Sequence, residues 1–548
     1  MEKEEWTKGY EASLKRCPER RREFKTLSGI TRKPIYTAED LKDFDGSRDL
    51  GLSGEYPYTR GIYPSMYRGR LFSSRFLVGI QSPEAFNIRQ RQMLEAGQNA
   101  INFVPCSSYI RGYDSDEVDL ELVGRTGTPV DSMKDMEIAF NGIPLDRVSF
   151  AFQEPGPFML IASTFAMAEK QGIPLSKIQG TTGQSDFLSH YVGAHQLLRY
   201  SLEGHLRILV DHVIFCTKNA PKWNPISIIG QHYSQTGATP VQAVAYALAS
   251  AIFSIDTLIK SGLDVDDFAP RVSFAFDVSG DLFEEVAKFR AVRRMWAKIM
   301  KDRFHARNPK SWLMRFHAQT SGTELVRQQP LNNVIRASLH TLAAVLGGAQ
   351  SIHTDAYDEP LWTPTEQSQR IAVMTQNIIA EESGAADVID PLGGSYYVES
   401  LTNEVEDRAW EYIRAIEEIG GMFEAVKSGY IHKEIAKSSI EYQQEVENGE
   451  KVVVGLNKYR IEEEELSVPQ NKLNLEDVQR HINRTKKMKE TRDQKRAKDA
   501  IKRLRKAALD PEKNIFESVV DAVKNDVTNS EIASELRDVF GYGRPLPI

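Results

Sequence analysis

The chain has few cysteines and no apolar run long enough for a membrane helix, and each shortage removes a class of protein. Three cysteines, Cys17, Cys106 and Cys216, are scattered over 548 residues. Their number and spacing make neither a disulfide framework nor a zinc-ligand pattern, which suits a reducing cytoplasm. No uninterrupted stretch of about 18 apolar residues occurs, and the first six residues hold no apolar signal core. The expectation is a cytoplasmic protein without membrane spans. A net charge of −7 gives no electrostatic case for nucleic acid. The one basic stretch, Arg484 to Lys506, is interrupted by Glu490, Asp493 and Asp499 and holds no aromatic residue to stack on bases. It reads as a solvated helix face.

What is present is the composition of a globular protein, 41% hydrophobic and 26% charged, in a chain too long for one ordinary domain. Residues 1–60 are charged and broken by Pro and Gly, and read as an extended N-terminal arm. From 61 to 402, short β-rich runs alternate with amphipathic helical patterns. The strand candidates are 76–79, 100–104, 147–152, 178–182, 225–230, 271–276, 312–317 and 349–353, with helical patterns such as 240–261, 282–304 and 332–346 between them. Eight strands, each followed by a helix, are what a (β/α)8 TIM barrel needs. An open doubly wound sheet is the rival, but it seldom takes eight consecutive units. From 403 to 548 the strand signal fades and a helical C-terminal region follows, including 405–419 and 422–428.

His232 is the most informative residue. It lies in Ser227-Ile-Ile-Gly-Gln-His-Tyr-Ser-Gln-Thr-Gly-Ala238, where the fifth strand runs out into what reads as a polar, glycine-broken loop. In a strand–helix barrel, chemistry is done at that end of the strands. Neighbouring strand ends carry Arg, Ser, His, Gln and Glu in the same way.

A set of motifs then appears in a familiar order. They are Met66-Tyr-Arg-Gly-Arg70, Arg111-Gly-Tyr-Asp-Ser-Asp116, Pro221-Lys-Trp-Asn224 with Gly230-Gln-His232 following, and Ala269-Pro-Arg-Val-Ser273. Arg315-Phe-His-Ala-Gln-Thr-Ser-Gly322, His353-Thr-Asp-Ala-Tyr-Asp-Glu359 and Val388-Ile-Asp-Pro-Leu-Gly-Gly-Ser-Tyr-Tyr-Val398 complete the set. Each is weak alone. Together, over roughly residues 50 to 460, they resemble the large subunit of adenosylcobalamin-dependent acyl-CoA mutases, the methylmalonyl-CoA mutase family.

The resemblance implies a barrel threaded by the pantetheine arm of CoA and a radical rearrangement of the acyl group. The cofactor performs the hard step, and the protein positions and shields. His232 matches the family histidine that hydrogen-bonds the substrate thioester carbonyl, a donor suited to charge developing on that oxygen. Gln319 and Glu359 match polar residues around the adenosyl group and corrin, with Gly79 on the same cofactor side. Tyr63, Ser65, Arg70, Ser73, Arg75, Arg271, Ser273 and Ser351 match nucleotide or pantetheine contacts, where arginine forks suit phosphate and hydroxyls suit amides. No metal ligand is expected of this chain.

The departures concern the acyl pocket and the cofactor. Where the family has Trp-Thr-(Met/Ile)-Arg-Gln-Tyr-Ala-Gly, this chain reads Phe72-Ser-Ser-Arg-Phe-Leu-Val-Gly79, so Leu77 replaces the substrate-wedging tyrosine. The arginine that grips the free carboxylate of methylmalonyl-CoA falls near Gly193-Ala-His195, and none is there. A buried carboxylate without that partner would cost several kcal/mol. Val104 stands where hydroxyisobutyryl-CoA mutases carry aspartate, leaving His195 or Gln196 as a polar contact. Leu77 and Val104 together point to a branched or bulky acyl group. Gln231, Gln235 and Ile110 are further replacements near the cofactor.

The family's cobalamin motif, Asp-x-His-x-x-Gly, is found nowhere in the chain. A separate small cobalamin-binding subunit is therefore expected, in a heterotetramer of two large and two small chains. The alternatives are a methylmalonyl-CoA mutase large subunit and a noncatalytic scaffold that binds CoA esters.

Overall fold

The computed structural model describes residues 3–544 apart from positions 76, 80, 96, 97, 99, 194–198 and 462–471. Ten short strands, all paired in parallel, are β1 (Ser73–Ser74), β2 (Leu77–Val78), β3 (Ala100–Phe103), β4 (Ser149–Phe152) and β5 (Gln179–Thr182), then β6 (Trp223–Asn224), β7 (Ile226–Ile229), β8 (Val272–Val278), β9 (Arg315–Thr320) and β10 (Ser351–His353). One sheet runs β1-β10-β9-β8-β7 and the other β2-β3-β4-β5-β6. β1 and β2 are halves of one strand position, as are β6 and β7, where Pro225 has no N–H to give a ladder. The two sheets share both of these broken strands. Hydrogen-bonded neighbours therefore pass through eight strand positions in a ring, the expected (β/α)8 architecture.

The strand bounds differ in detail from the sequence reading. The first strand position starts at Ser73 rather than residue 76, and residues 309–312 form a 3-10 turn, so β9 begins at Arg315 and extends to Thr320. The expected boundary at 402/403 falls inside one helix, Tyr396–Ile419.

Strand side chains alternate with a period of two, and the two faces are chemically opposite. On the outer face Phe274 packs edge-on to Trp296, and Phe316 lies 4.5 Å from Phe289, both partners belonging to the helix Leu282–Lys298. Phe150, Phe152 and Phe103 continue this aromatic layer on the other sheet. The inner face carries Ser73, Asn102, Ala151, Thr181, Asn224, Ser273, Ala275, Arg315, His317, Gln319 and Ser351. An ordinary barrel interior is filled by bulky branched side chains. Here the inner positions are mostly small or polar, with Ile229 beside Ala275 an apolar exception.

Two helices hold the assembly together. Pro240–Lys260 starts at Pro with a Thr239/Gln242 capping box and is buried along most of its length. By length and composition it could cross a bilayer, but its apolar face is covered by protein. Leu282–Lys298 buries a row of charges that a helical pattern would assign to solvent. Glu284 accepts from Thr26 Oγ1 at 2.9 Å, Leu27 N at 2.8 Å and Ser28 N at 3.1 Å, which ties down the N-terminal arm. Arg290 pairs with Asp390 and Glu399, and Arg294 with Glu406.

The basic stretch is only partly a solvated face. It spans the helices Leu475–Thr491 and Gln494–Leu509. In the first, Arg484 pairs with Glu84 and Asp135, and Lys489 lies 2.9 Å from Asp114 and 2.7 Å from Asp116. His481 is buried between Asp131, at 3.1 Å, and Asp135, at 3.5 Å. These contacts latch the C-terminal helices to the barrel. Lys495, Lys498 and Lys502 remain exposed.

Candidate functional site

Because all strands run the same way, their carboxyl ends share one end of the barrel. β7 ends at Ile229 and passes directly into the helix Gly230–Thr236. His232 is therefore on a short helix, not the expected loop. The switch needs glycine at 230, since a Cβ there would sit 2.4 Å from the Phe276 ring. Gly237, with φ of +114°, ends the helix in the left-handed region.

His232 is 2% exposed. Its Nδ1 lies 2.9 Å from Ser189 Oγ, and its ring centroid is 4.6 Å from that of His190. Both neighbours belong to the helix Phe187–Val192, which follows β5. That helix is anchored by Asp186, whose carboxylate accepts from Ser189 N at 3.4 Å and Ile229 N at 3.1 Å. Burial raises the Asp186 carboxyl to about 6.

Gln319 projects from β9, and its Nε2 donates to Asp355 Oδ1 at 3.1 Å. The same oxygen is 2.9 Å from His353 Nε2. Asp355 is 2% exposed, yet its Oδ2 has no hydrogen-bond partner among the described residues. The Glu359 side chain is exposed at the surface. Desolvation of its carboxyl, with Asp355 and Asp358 nearby, raises it to about 8. At neutral pH it is mostly a neutral acid that can donate as well as accept. Asp277 is also pushed well up, by burial first and then by Asp355, although Ser321 Oγ donates to it at 2.7 Å.

The lumen wall below is built in rungs by strand register. Ser273 lies beside Arg315; then Ala275, His317, Ser351 and Ser73 follow in one layer; then Asp277, Gln319 and His353. Ser351 Oγ and His317 Nδ1 are 2.8 Å apart, and burial with Arg75 and His353 nearby lowers the His317 imidazole to about 3, so it is neutral. Burial also lowers Arg75 to about 10; its Nη2 reaches Ser149 Oγ at 3.4 Å while its Nε is unpartnered. Arg271 is lowered by burial and by Arg315. Among the described residues no carboxylate pairs with Arg75, Arg271 or Arg315, an arrangement suited to an anion.

The remaining expected residues are spread more widely. Tyr63, Ser65 and Arg70 are exposed on the segment leading into β1. A Cβ at Gly79 would lie 2.9 Å from Val104 Cβ and from Gly127 Cα, so glycine is required there by backbone packing. Val104 is half-buried beside it. Leu77 pairs with Asn102 in register. His195 lies outside the described residues.

Sequence reading missed Ser189, His190, Asp277, Arg315, His317, His353 and Asp355. Arg-x-His-x-Gln on β9 and Ser-x-His-x-Asp on β10 and beyond carry a period-two polar signal that could have found four of them. Ser189 and His190 carry none. Beside the site a cavity of about 1060 Å³ opens among Gln235, Asp277, Ser321 and the arm residues Thr26–Gly29, and its lining does not include His232, Gln319 or Glu359.

A family model described as methylmalonyl-CoA mutase matches residues 25–542. The 2-hydroxyisobutanoyl-CoA mutase large subunit of Aquincola tertiaricarbonis is 40% identical over 539 residues, which cover 98% of this chain and 95% of that protein. The methylmalonyl-CoA mutase of Cereibacter sphaeroides is 40% identical over 545 residues, 98% of this chain and 76% of its own. The human mitochondrial methylmalonyl-CoA mutase is 38% identical over 518 residues, 94% and 68%.

Proposed function

The chain belongs to the methylmalonyl-CoA mutase family and is an acyl-CoA mutase, an isomerase; from that premise we propose that it is the large, substrate-binding subunit of an adenosylcobalamin-dependent enzyme that rearranges a branched or hydroxylated acyl-CoA. The observation that carries this reading is the lumen. Inward residues are mostly small or polar where a packed barrel carries bulky branched ones, a lining that suits a slender amide-bearing arm such as pantetheine. Ser73, Ser273 and Ser351 offer it hydroxyls, while Arg75, Arg271 and Arg315 offer phosphate-binding cations without carboxylate partners.

At the carboxyl end, His232 would hold the thioester oxygen. A buried imidazole N–H aimed at that oxygen favours the state in which negative charge grows there. Gln319, Asp355 and Glu359 fit the sugar of the cofactor, because the unpartnered Asp355 oxygen and the neutral Glu359 acid match hydroxyl groups that both donate and accept. When bound, adenosylcobalamin supplies the radical chemistry. The protein's part is to orient the acyl group, exclude water and hold the oxygen.

Identity alone does not choose the acyl group, since two relatives with different substrates in their names are each 40% identical. Leu77, Val104 and the missing arginine favour an acyl group without a free carboxylate. The near-complete overlap with a protein named as a large subunit supports a smaller partner; our reading makes that partner the cobalamin-binding chain of a cytoplasmic heterotetramer of two large and two small chains.

The test is to mix the chain with a small cobalamin-binding subunit, adenosylcobalamin and a panel of acyl-CoAs. Isomerisation of branched or hydroxylated acyl-CoAs is expected, with His232→Ala lowering kcat roughly 100- to 1000-fold. Comparable turnover of methylmalonyl-CoA would overturn the substrate assignment, and CoA-ester binding without isomerisation would leave a scaffold.

A further inference from the structure

Ser189 has one hydrogen and two acceptors within reach. Its Oγ lies 2.8 Å from the Asp186 carbonyl oxygen and 2.9 Å from His232 Nδ1. Asp186, Ser189 and His232 are each at most 4% exposed, so bulk water does not arbitrate between these choices. The outcome decides the chemistry of His232. If Ser189 donates to the carbonyl, its lone pair accepts from Nδ1–H, and a neutral His232 carries no hydrogen on Nε2. If Ser189 donates to Nδ1, the hydrogen of the neutral ring must be on Nε2.

We propose that Ser189 is a positioning residue that donates its hydroxyl hydrogen to His232 Nδ1 and thereby keeps the histidine in the Nε2–H form. Several features fit that role. The Asp186 carbonyl stands at the N-cap of the Phe187–Val192 helix, a position whose C=O ordinarily accepts the first intrahelical N–H. The Asp186 carboxylate grips both Ser189 N and Ile229 N, so the serine is tied to the strand that leads into the His232 helix. Thr236 Oγ1 donates to His232 O at 2.7 Å and fixes the backbone under the ring, while His190 packs against its side. The backbone and ring are thus held, and the serine hydroxyl selects the protonated nitrogen. A hydroxyl can do this without adding charge beside a thioester.

The inference rests on the reading of His232 as a thioester donor, but its first test does not depend on turnover. In the full chain labelled with 15N in its imidazoles, long-range 15N–1H spectra separate the two neutral tautomers, and a His232→Gln sample identifies the signal. The expected result is Nε2–H for His232, a shift toward Nδ1–H or a mixture in Ser189→Ala, and return to Nε2–H in Ser189→Thr, which keeps the hydroxyl. An Nδ1–H signal in the unaltered chain, or an unchanged tautomer in Ser189→Ala, would overturn the proposal. In the reconstituted mutase, Ser189→Ala should lower kcat roughly 10- to 100-fold with little change in KM, and Ser189→Thr should recover most of it. A loss that falls on KM alone would also overturn it. Absence of any isomerisation by the unaltered chain, with the tautomer pattern as expected, would sink the functional reading and leave the positioning role standing.

Discussion

On β9 two faces of one strand do different work. Phe316 and Ala318 look outward, and Phe316 is pressed between Phe276 and Phe289. Arg315, His317 and Gln319 look inward, where their partners are a backbone carbonyl, Ser351 and Asp355. The same division runs around the ring. Stability resides in the aromatic shell between strands and helices, where area is removed from water on both sides. Ligand recognition is left to a face that contributes little packing. A barrel whose interior is lined by small and polar side chains has to draw its cohesion from outside.

Two substitutions test that division. Phe316→Ala should have the largest effect, lowering stability by roughly 3–5 kcal/mol through transfer and cavity terms, read from the denaturant midpoint. Acyl-CoA affinity of the protein that remains folded should be nearly unchanged. Ala275→Leu probes the opposite face, on the rung shared with His317 and Ser351. It should obstruct the channel and weaken acyl-CoA binding at least tenfold while changing stability by less than about 1 kcal/mol. A stability loss comparable to that of Phe316→Ala would mean that the interior is a packed core after all.

The smallest effect concerns pH. The Glu359 acid holds its proton to about 8 in the fold and to about 4.5 in its ordinary state. Between these values the folded protein binds more protons than the unfolded one. Its contribution to stability is therefore complete below about 4.5 and is lost as pH rises through about 8. Denaturation curves across that window should slope less steeply in Glu359→Gln. An unchanged or steeper slope would show that this carboxyl is ionised in the fold.

The eight strand positions were legible because an alternating pattern is local. Their ends were less so. Residues 309–312 turn before β9 starts, and Gly230 opens a helix at a place where Phe276 leaves no room for a side chain. Within the site, His232, Gln319 and Glu359 could be picked out only through motif resemblance, whereas Ser189 could not be picked out at all. It lies 43 positions before His232, and only the adjacency of the helices after β5 and β7 brings the two together. The neutral state of Glu359 was likewise invisible, because it depends on how close folding brings Asp355 and Asp358. The buried charges of Leu282–Lys298 mislead any reading by amphipathicity, since their partners come from the arm and the C-terminal helices.

The amino-acid sequence by itself determined the alternation of strands and helices, the polar residues available at strand ends and the family to which they belong, because each is a property of neighbours along the chain. Tertiary structure decided which strand face became the lumen, which arginines were left without carboxylates and which hydroxyl meets His232. Those outcomes depend on ring closure, which sets distances between residues that the chain keeps far apart.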